Sequence, residues 1–169
     1  DFTRLSINST TGLLSFVSAP DYEIKSSYTA TVTASDGTNS STKYIPINVI
    51  NLNDNTPSIT STSTFSVAEN QTAIGSVTAT DADGDTVSYS LSGADASSMT
   101  IGSSSGVLTF NIAPDYDSKS LYTATVAVSD GTNSSTQNIS INIINVIGAS
   151  PHFTSSASFS AAENQTSIG

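Results

Sequence analysis

The chain has 169 residues, fourteen of them acidic and four basic, which gives a formal net charge of −10. This acidity argues against nucleic acid as a partner, because a phosphate-binding surface needs clustered positive charge. The lack of cysteine excludes a disulfide framework and thiolate chemistry. No apolar run approaches the roughly 18 residues that a membrane-spanning helix needs. Serine and threonine number 58, a polarity typical of disorder, so the placement of the apolar residues must decide whether the chain folds.

The sequence repeats itself with an offset of 94 residues. Residues 1–57 match residues 95–151 at 31 of 57 positions, which indicates tandem copies of one unit. A unit of this length is a whole small domain rather than one coil of a solenoid. The clearest pairs are Ala19–Tyr22 with Ala113–Tyr116, Asp36–Thr42 with Asp130–Thr136, and Ala68–Thr72 with Ala162–Thr166.

This period predicts three segments, cut from a longer repetitive chain. Residues 1–57 are expected to be the C-terminal part of one repeat, residues 58–151 a complete repeat, and residues 152–169 the first strand of a third.

Apolar and polar residues alternate along the repeat, which predicts short half-buried strands and no helix. In chain order the predicted strands are Tyr28–Ala34, Phe65–Val67, Ile74–Ala79, Val87–Leu91, Met99–Ile101, Leu108–Phe110, Tyr122–Val128 and Ile139–Ile143. Turn signals separate them at Asp81–Asp85, Ser103–Gly106 and Asp130–Asn133. Seven short strands in the complete repeat predict an all-β fold, a seven-stranded Greek-key β-sandwich of the immunoglobulin-like type.

The acidic residues lie in turns and in the segment between repeats. Asn51–Pro57 follows the last strand of the first repeat, and Asp21 and Glu23 occupy a turn before the Tyr28 strand. In a sandwich whose strands run from end to end, alternate turns gather at one end. Clustered carboxylates without nearby bases are costly as free anions, and they suit a hard cation with six to eight oxygen ligands, meaning Ca2+.

These motifs together resemble tandem cadherin-type repeats of the bacterial cadherin-like kind, over the whole chain. Asn51–Pro57 resembles the family's Asp-x-Asn-Asp-Asn-x-Pro linker, and Ala68–Asn70 its Pro-Glu-Asn. Three further matches are Asp21–Glu23 to Asp-Arg-Glu, Asp81–Asp83 to Asp-x-Asp, and Ser129–Asp130 to the final aspartate.

The resemblance implies a ligand set for calcium between the first and second repeats. Asp54 would bridge ions, and Asn53 and Asn55 would offer backbone or amide oxygens. The implied set is Asp21, Glu23, Asn53, Asp54, Asn55, Asp81, Asp83 and Asp130. Three other turn aspartates, Asp36, Asp85 and Asp95, are expected to be turn formers only.

The second linker departs from the family pattern. Residues 145–151 have no acid, whereas Glu69, Asp115 and Asp117 persist as possible metal ligands beside it. We therefore expect full calcium occupancy only at the first junction. The second is expected to be empty, reduced to one ion, or held by apolar contact through Val146 and Ile147.

No catalytic arrangement is present in the sequence, since the single histidine, His152, has no neighbouring nucleophile. The chain is therefore expected not to be an enzyme. The resemblance implies calcium-rigidified extender repeats of a large extracellular or cell-surface adhesin, in contact with neighbouring repeats and open to homophilic contact with other copies. Two alternatives remain open. One is a filament subunit in which strand 152–169 of one chain complements the 1–57 sheet of another, and the other is a glycan-binding module.

Overall fold

The computed structural model describes residues 1, 3–147, 162–164 and 166. Strands dominate these residues, with one short 3-10 helix at Ala96–Ser98. No helix in this part of the chain has the length and apolar character needed to cross a membrane. The strands are β1 (Leu5–Ile7), β2 (Leu14–Phe16), β3 (Ser27–Ser35), β4 (Ser40–Asn48), β5 (Ser58–Ile59), β6 (Thr64–Ala68), β7 (Ala73–Ser76), β8 (Ala79–Thr80), β9 (Ser88–Ser92), β10 (Met99–Ile101), β11 (Val107–Phe110), β12 (Leu121–Ser129) and β13 (Ser134–Ile144).

Seven of these strands form the two sheets of a sandwich. One sheet has the order β6-β13-β12-β9, and the other has the order β10-β11-β7. Every pairing in them is antiparallel except that of β6 with β13, which is parallel. The predicted seven-stranded β-sandwich is thereby confirmed.

The core of the sandwich comes from alternate positions of its strands. Ala124, Val126 and Val128 of β12 are 5%, 0% and 0% exposed, while Thr123 on the opposite face is exposed. Burying one such side chain stabilises the fold by about 1.5–3 kcal/mol relative to leaving it in water. The buried cluster comprises Val67, Val77, Tyr89, Met99, Leu108, Phe110, Ala124, Val126, Val128, Ile139, Ile141 and Ile143.

The strands β1 to β4 reproduce β10 to β13 at the 94-residue offset. Tyr28 lies opposite Ile47 in the β3–β4 pair, as Tyr122 lies opposite Ile141 in the β12–β13 pair. Within the described residues, β3 and β4 pair only with each other, whereas β12 and β13 also pair with β9 and β6. Their apolar face is accordingly less covered, and only Leu5 and Tyr28 are buried there.

One predicted strand, Ile74–Ala79, was wrong as a continuous element. Its first part lies in β7, which pairs with β11, and its last residue, Ala79, belongs to β8, which pairs with β5. Between them the buried Val77 donates its N–H to the carbonyl of Gly106 over 2.9 Å. The strand breaks because its backbone changes partner there. The predicted strand of a third repeat, 152–169, lies outside the described residues except for 162–164 and 166.

Candidate metal site at the junction between repeats

The linker after β4 has no strand partner until β5, so side chains fix its path. Asp83, from the turn after β8, accepts N–H groups of the linker at its Oδ2 atom, from Asp54 over 3.1 Å and from Asn55 over 2.8 Å. Its Oδ1 accepts from Nδ2 of Asn55 over 2.8 Å. Asn51 adds a bond from its Nδ2 to the Asp83 carbonyl, also over 2.8 Å.

These bonds set the charge state of Asp83. The side-chain amide of Asn55 lowers the pKa of the Asp83 carboxyl and outweighs the opposing effect of burial, and the N–H groups of Asn55 and Asp54 lower it further. Asp83 is thus held as an anion at the base of the linker.

Glu23 reaches the same place from the turn before β3. Carboxylate oxygens of Glu23, Asp54 and Asp83 all lie within 4.8 Å of one another. Partial desolvation raises the pKa of Glu23, and the negative charges of Asp83 and Asp21 raise it further. Three carboxylates from three separate chain segments therefore converge with mutual repulsion that a cation would remove.

A second acidic group shares Asp83 and extends into the turn after β8. It consists of Asp81, Asp83 and Asp85, again with oxygens within 4.8 Å of one another. Oδ1 of Asp81 accepts the N–H groups of Asp83 and Asp85 over 3.0 and 3.3 Å, which fixes the turn. Its other oxygen, Oδ2, is buried without a hydrogen-bond partner.

Asp130, which directly follows β12, also has one carboxylate oxygen that is hydrogen-bonded and one that is not. Its Oδ1 accepts the N–H groups of Thr132 and Asn133 over 2.7 and 2.6 Å, while its Oδ2 is buried without a partner. Burial acts to raise the pKa of Asp130, but the N–H groups of Asn133 and Thr132 prevail and hold it below the ordinary value. Nδ2 of Asn133 then ties this turn to the linker, through Oδ1 of Asn53 over 3.3 Å and the carbonyl of Asn55 over 3.2 Å.

The donor set at this junction fits calcium. Its groups are carboxylate, amide and carbonyl oxygens, the ligands that a hard cation takes six to eight at a time. Among the described residues, five buried side-chain atoms have no hydrogen-bond partner, and two of them are carboxylate oxygens of this junction, Oδ2 of Asp81 and Oδ2 of Asp130. Buried polar atoms in folded proteins almost always have a partner, so these two oxygens are available to a cation.

The opposite end of the sandwich is different. Glu69 accepts the N–H of Tyr116 over 3.2 Å and that of Val146 over 2.8 Å. Oδ1 of Asp115 accepts the N–H of Asp117 over 3.1 Å, and its Oδ2 accepts the Ser118 hydroxyl over 2.8 Å. In the described part of the chain, no group of three converging acids forms at this end.

The structure thus brings part of the expected ligand set together. Glu23, Asp54, Asp81 and Asp83 share the two acidic groups. Asn53, Asn55 and Asp130 join them through Asn133 and Asp83. Asp21 caps its own turn, where Oδ1 accepts the N–H of Ile24 over 3.0 Å, and it touches the group only through its charge.

Sequence reasoning missed two participants and a role. Asp85 was expected to be a turn former only, yet it belongs to the second acidic group, and its place in the run Asp81–Asp85 was the available signal. Asn133, the last residue of the Asp130 turn, bridges to the linker. Asn51 donates from its Nδ2 to the Asp83 carbonyl, which an aspartate could not do.

Comparisons with known proteins identify the family to which this fold belongs. The Cadherin domain family matches residues 63–146. Human Protocadherin Fat 4 is 35% identical over 131 residues, which is 72% of this chain and 3% of that protein. Human Protocadherin-11 X-linked is 33% identical over 164 residues, 89% of this chain and 12% of that protein. The chain therefore spans only a small part of these relatives.

Solved structures show the same fold. Mouse Cadherin-23 EC22-24 superposes with a TM-score of 0.74 at 26% identity, covering 85% of this chain and 50% of that one. The Protocadherin gammaB7 EC3-6 cis-dimer structure superposes with a TM-score of 0.71 at 27% identity, covering 85% and 38%.

The class that fold and comparisons define is the immunoglobulin-like β-sandwich of extracellular or cell-surface adhesion proteins. Residues 63–146 form a cadherin-type repeat of that class. Cadherin domains bind calcium and form a non-enzymatic adhesion family.

Proposed function

We propose that the chain is a stretch of calcium-rigidified extender repeats from a large surface adhesin, in which Ca2+ locks the first junction. The observation that carries this proposal is the convergence of Glu23, Asp54 and Asp83 from three chain segments around one linker. The orphaned oxygens of Asp81 and Asp130 support it, because Asp81 bonds to Asp83 and the Asp130 turn is tied to the linker through Asn133.

The mechanism is electrostatic. Without a cation, the carboxylates repel one another and favour a bent or splayed linker. Ca2+ neutralises that repulsion and joins ligands of the two repeats, so the junction resists bending. A ligand that binds only the folded junction adds about 2.7 kcal/mol of stability at a hundredfold excess over its Kd.

The test compares the chain in excess Ca2+ with the chain in chelator. We expect a higher melting temperature and a longer maximum dimension in small-angle scattering with Ca2+. The Asp54→Ala variant should lose most of both responses, whereas Asp36→Ala, an equal loss of charge at a turn remote from the linker contacts, should keep them. Unchanged melting and unchanged dimensions in the parent chain would refute the proposal.

We further infer that the second junction takes little or no calcium. Its linker, 145–151, has no acid, and among the described residues no three acids converge at that end. Val146 and Ile147 are 50% and 94% exposed, which suits apolar contact with a following repeat. Crystals soaked in calcium should give anomalous signal at the first junction and not at the second.

A second candidate function is filament assembly by strand complementation between chains. It is supported by the pairing of β3 and β4 only with each other in the described residues, while β12 and β13 each have a further partner. Light scattering over a range of concentrations decides it, since a strictly monomeric mass at all of them excludes complementation.

A further inference from the structure

A cluster of four side chains outside the acidic junction occurs twice at the 94-residue offset. In the first repeat it consists of Asp1, Lys25, Tyr28 and Phe16, and in the second of Asp95, Lys119, Tyr122 and Phe110. We call each copy the lysine clamp. The chain has only four basic residues, and two of them are in these clamps.

The geometry of the two clamps is nearly the same. Lys25 pairs with Oδ1 of Asp1 and lies 4.7 Å from the centre of the Tyr28 ring. Lys119 pairs with Oδ1 of Asp95 and lies 4.8 Å from the Tyr122 ring. A cation over an aromatic face is attracted by the ring quadrupole, so each lysine is held from two sides.

The clamps are anchored to the sandwich. Oδ2 of Asp1 accepts the N–H of Thr29 in β3 over 2.8 Å, and Oδ2 of Asp95 accepts the N–H of Thr123 in β12 over 2.9 Å. Each tyrosine ring meets a phenylalanine edge-on, at 5.0 Å in the first repeat and 4.9 Å in the second. The lysine therefore docks onto parts of the repeat that are already fixed.

What the lysine holds is the turn that carries a junction acid. The N–H of Lys25 bonds to the carbonyl of Asp21 over 2.9 Å and closes the turn in which Glu23 lies. The N–H of Lys119 closes the Asp115 turn in the same way over 3.0 Å. The clamp thus fixes the exit of the turn whose middle residue, in the first repeat, belongs to the group with Asp54 and Asp83.

We propose that Lys25 is a positioning residue for calcium: through the first lysine clamp, it holds the turn that delivers Glu23 to the junction. This inference rests on the proposed calcium site. For the loss of Lys25, it predicts a change in Ca2+ affinity that is opposite in sign to the change expected from charge alone. Removing a positive charge beside an acidic site should strengthen cation binding, whereas releasing the turn should weaken it, because the Glu23 oxygens must then be ordered on binding.

The experiment is a calorimetric Ca2+ titration of the full chain and four variants. Lys25→Met should bind about tenfold more weakly, and Lys25→Arg, which keeps the charge, should stay close to the parent. Lys119→Met is the matched control, because it breaks the second clamp at comparable cost in melting temperature and should leave the affinity unchanged. Asp1→Asn still offers an oxygen to Thr29 but loses the ion pair, so it should weaken binding even if Lys25→Met folds poorly.

The outcomes separate the two proposals. Saturable binding by the parent with equal or tighter binding by Lys25→Met and Asp1→Asn overturns the positioning role and leaves the calcium site intact. An equal loss of affinity in Lys119→Met also overturns it, because the effect would then be general destabilisation. No saturable binding by the parent overturns the calcium site and the positioning role together.

Discussion

Asp83 combines two tasks at the scale of single residues. Its carboxylate accepts three hydrogen bonds from Asp54 and Asn55, and its oxygens belong to both acidic groups of the junction. Asp54, by contrast, is exposed. Asp83 is therefore where the path of the linker and the proposed cation site meet.

Changing Asp83 to Asn should separate these tasks. An amide can accept only on its oxygen, and it removes one charge from both acidic groups, so we expect the melting increase caused by Ca2+ to fall to a small fraction of the parent value. Asp36→Asn loses the same charge and should show the full increase. A full response in Asp83→Asn would mean that the cation binds elsewhere.

Asp95 gives a pH-dependent stability through the second lysine clamp. The Lys119 ammonium, followed by the N–H of Thr123, lowers the pKa of the Asp95 carboxyl. A lowered folded-state pKa contributes stability that is present above the unfolded value, about 4, and is lost as the pH falls through the folded value. Asp95→Asn should therefore be less stable at pH 7, by up to about 1 kcal/mol, and the difference should shrink toward pH 3.

Urea unfolding followed by circular dichroism at the two pH values measures this difference. The stability difference between the parent and Lys119→Met should also shrink from pH 7 to pH 3, because this variant removes the other partner of the ion pair. If the difference in unfolding free energy between parent and variant stays constant from pH 7 to pH 3, the ion pair is not its source.

At the scale of elements, turns fix the register of the sandwich. The β10–β11 hairpin closes with an N–H of Gly106 bonded to the carbonyl of Gly102 over 2.8 Å. Gly106 has φ +66°, and a Cβ there would lie 2.1 Å from the carbonyl oxygen of Val77. Because the two backbones approach so closely, the Gly106 carbonyl can accept the N–H of Val77. This bond links the β10–β11 hairpin to the residue that follows β7.

Replacing Gly106 by Ala should be far more costly than the same change at Gly131, which has φ +96° but open space around its Cβ position. Gly131→Ala incurs backbone strain alone, about 1–2 kcal/mol, whereas Gly106→Ala must also displace the backbone at Val77. Equilibrium unfolding of both variants gives the comparison. Equal losses of stability would show that strain, not the steric clash, dominates at Gly106.

The strands could be predicted from sequence because alternation is a local signal. β12 and β13 bury the residues that their period of two assigns to one face. The short pair β5–β8 could not be predicted, because two residues carry no periodicity and the pairing joins Ser58 to the distant Thr80. The acidic residues of the junction were visible as motifs, whereas the tie from Asn133 to the linker depends on contacts across about eighty residues.

At the scale of the whole molecule, the two ends of the complete repeat differ in charge and in bonding. Glu23 and Asp117 occupy the same position of their turns, 94 residues apart. Glu23 faces a linker with Asp54 and meets Asp83, while Asp117 lies beside a linker without acids. The two repeats therefore offer equivalent turns with unequal surroundings.

This asymmetry predicts unequal effects of matched substitutions. Glu23→Ala should weaken Ca2+ binding by about tenfold or more, because it removes a carboxylate from the converging group. Asp117→Ala should leave both the affinity and the number of bound ions unchanged. Calorimetry reports both quantities, and a fall in ion number for Asp117→Ala would place calcium at the second junction as well.

The parallel pairing of β6 with β13 has a consequence for pulling. Thr64 lies opposite Ser140 and Ala68 opposite Ile144, so the chain enters the repeat at one end of this ladder and leaves at the other. Tension along the chain therefore loads these hydrogen bonds in shear and simultaneously, instead of breaking them one after another. We expect a repeat connected in this way to unfold only at high force, as long as the junctions on either side keep the line of force along the strands.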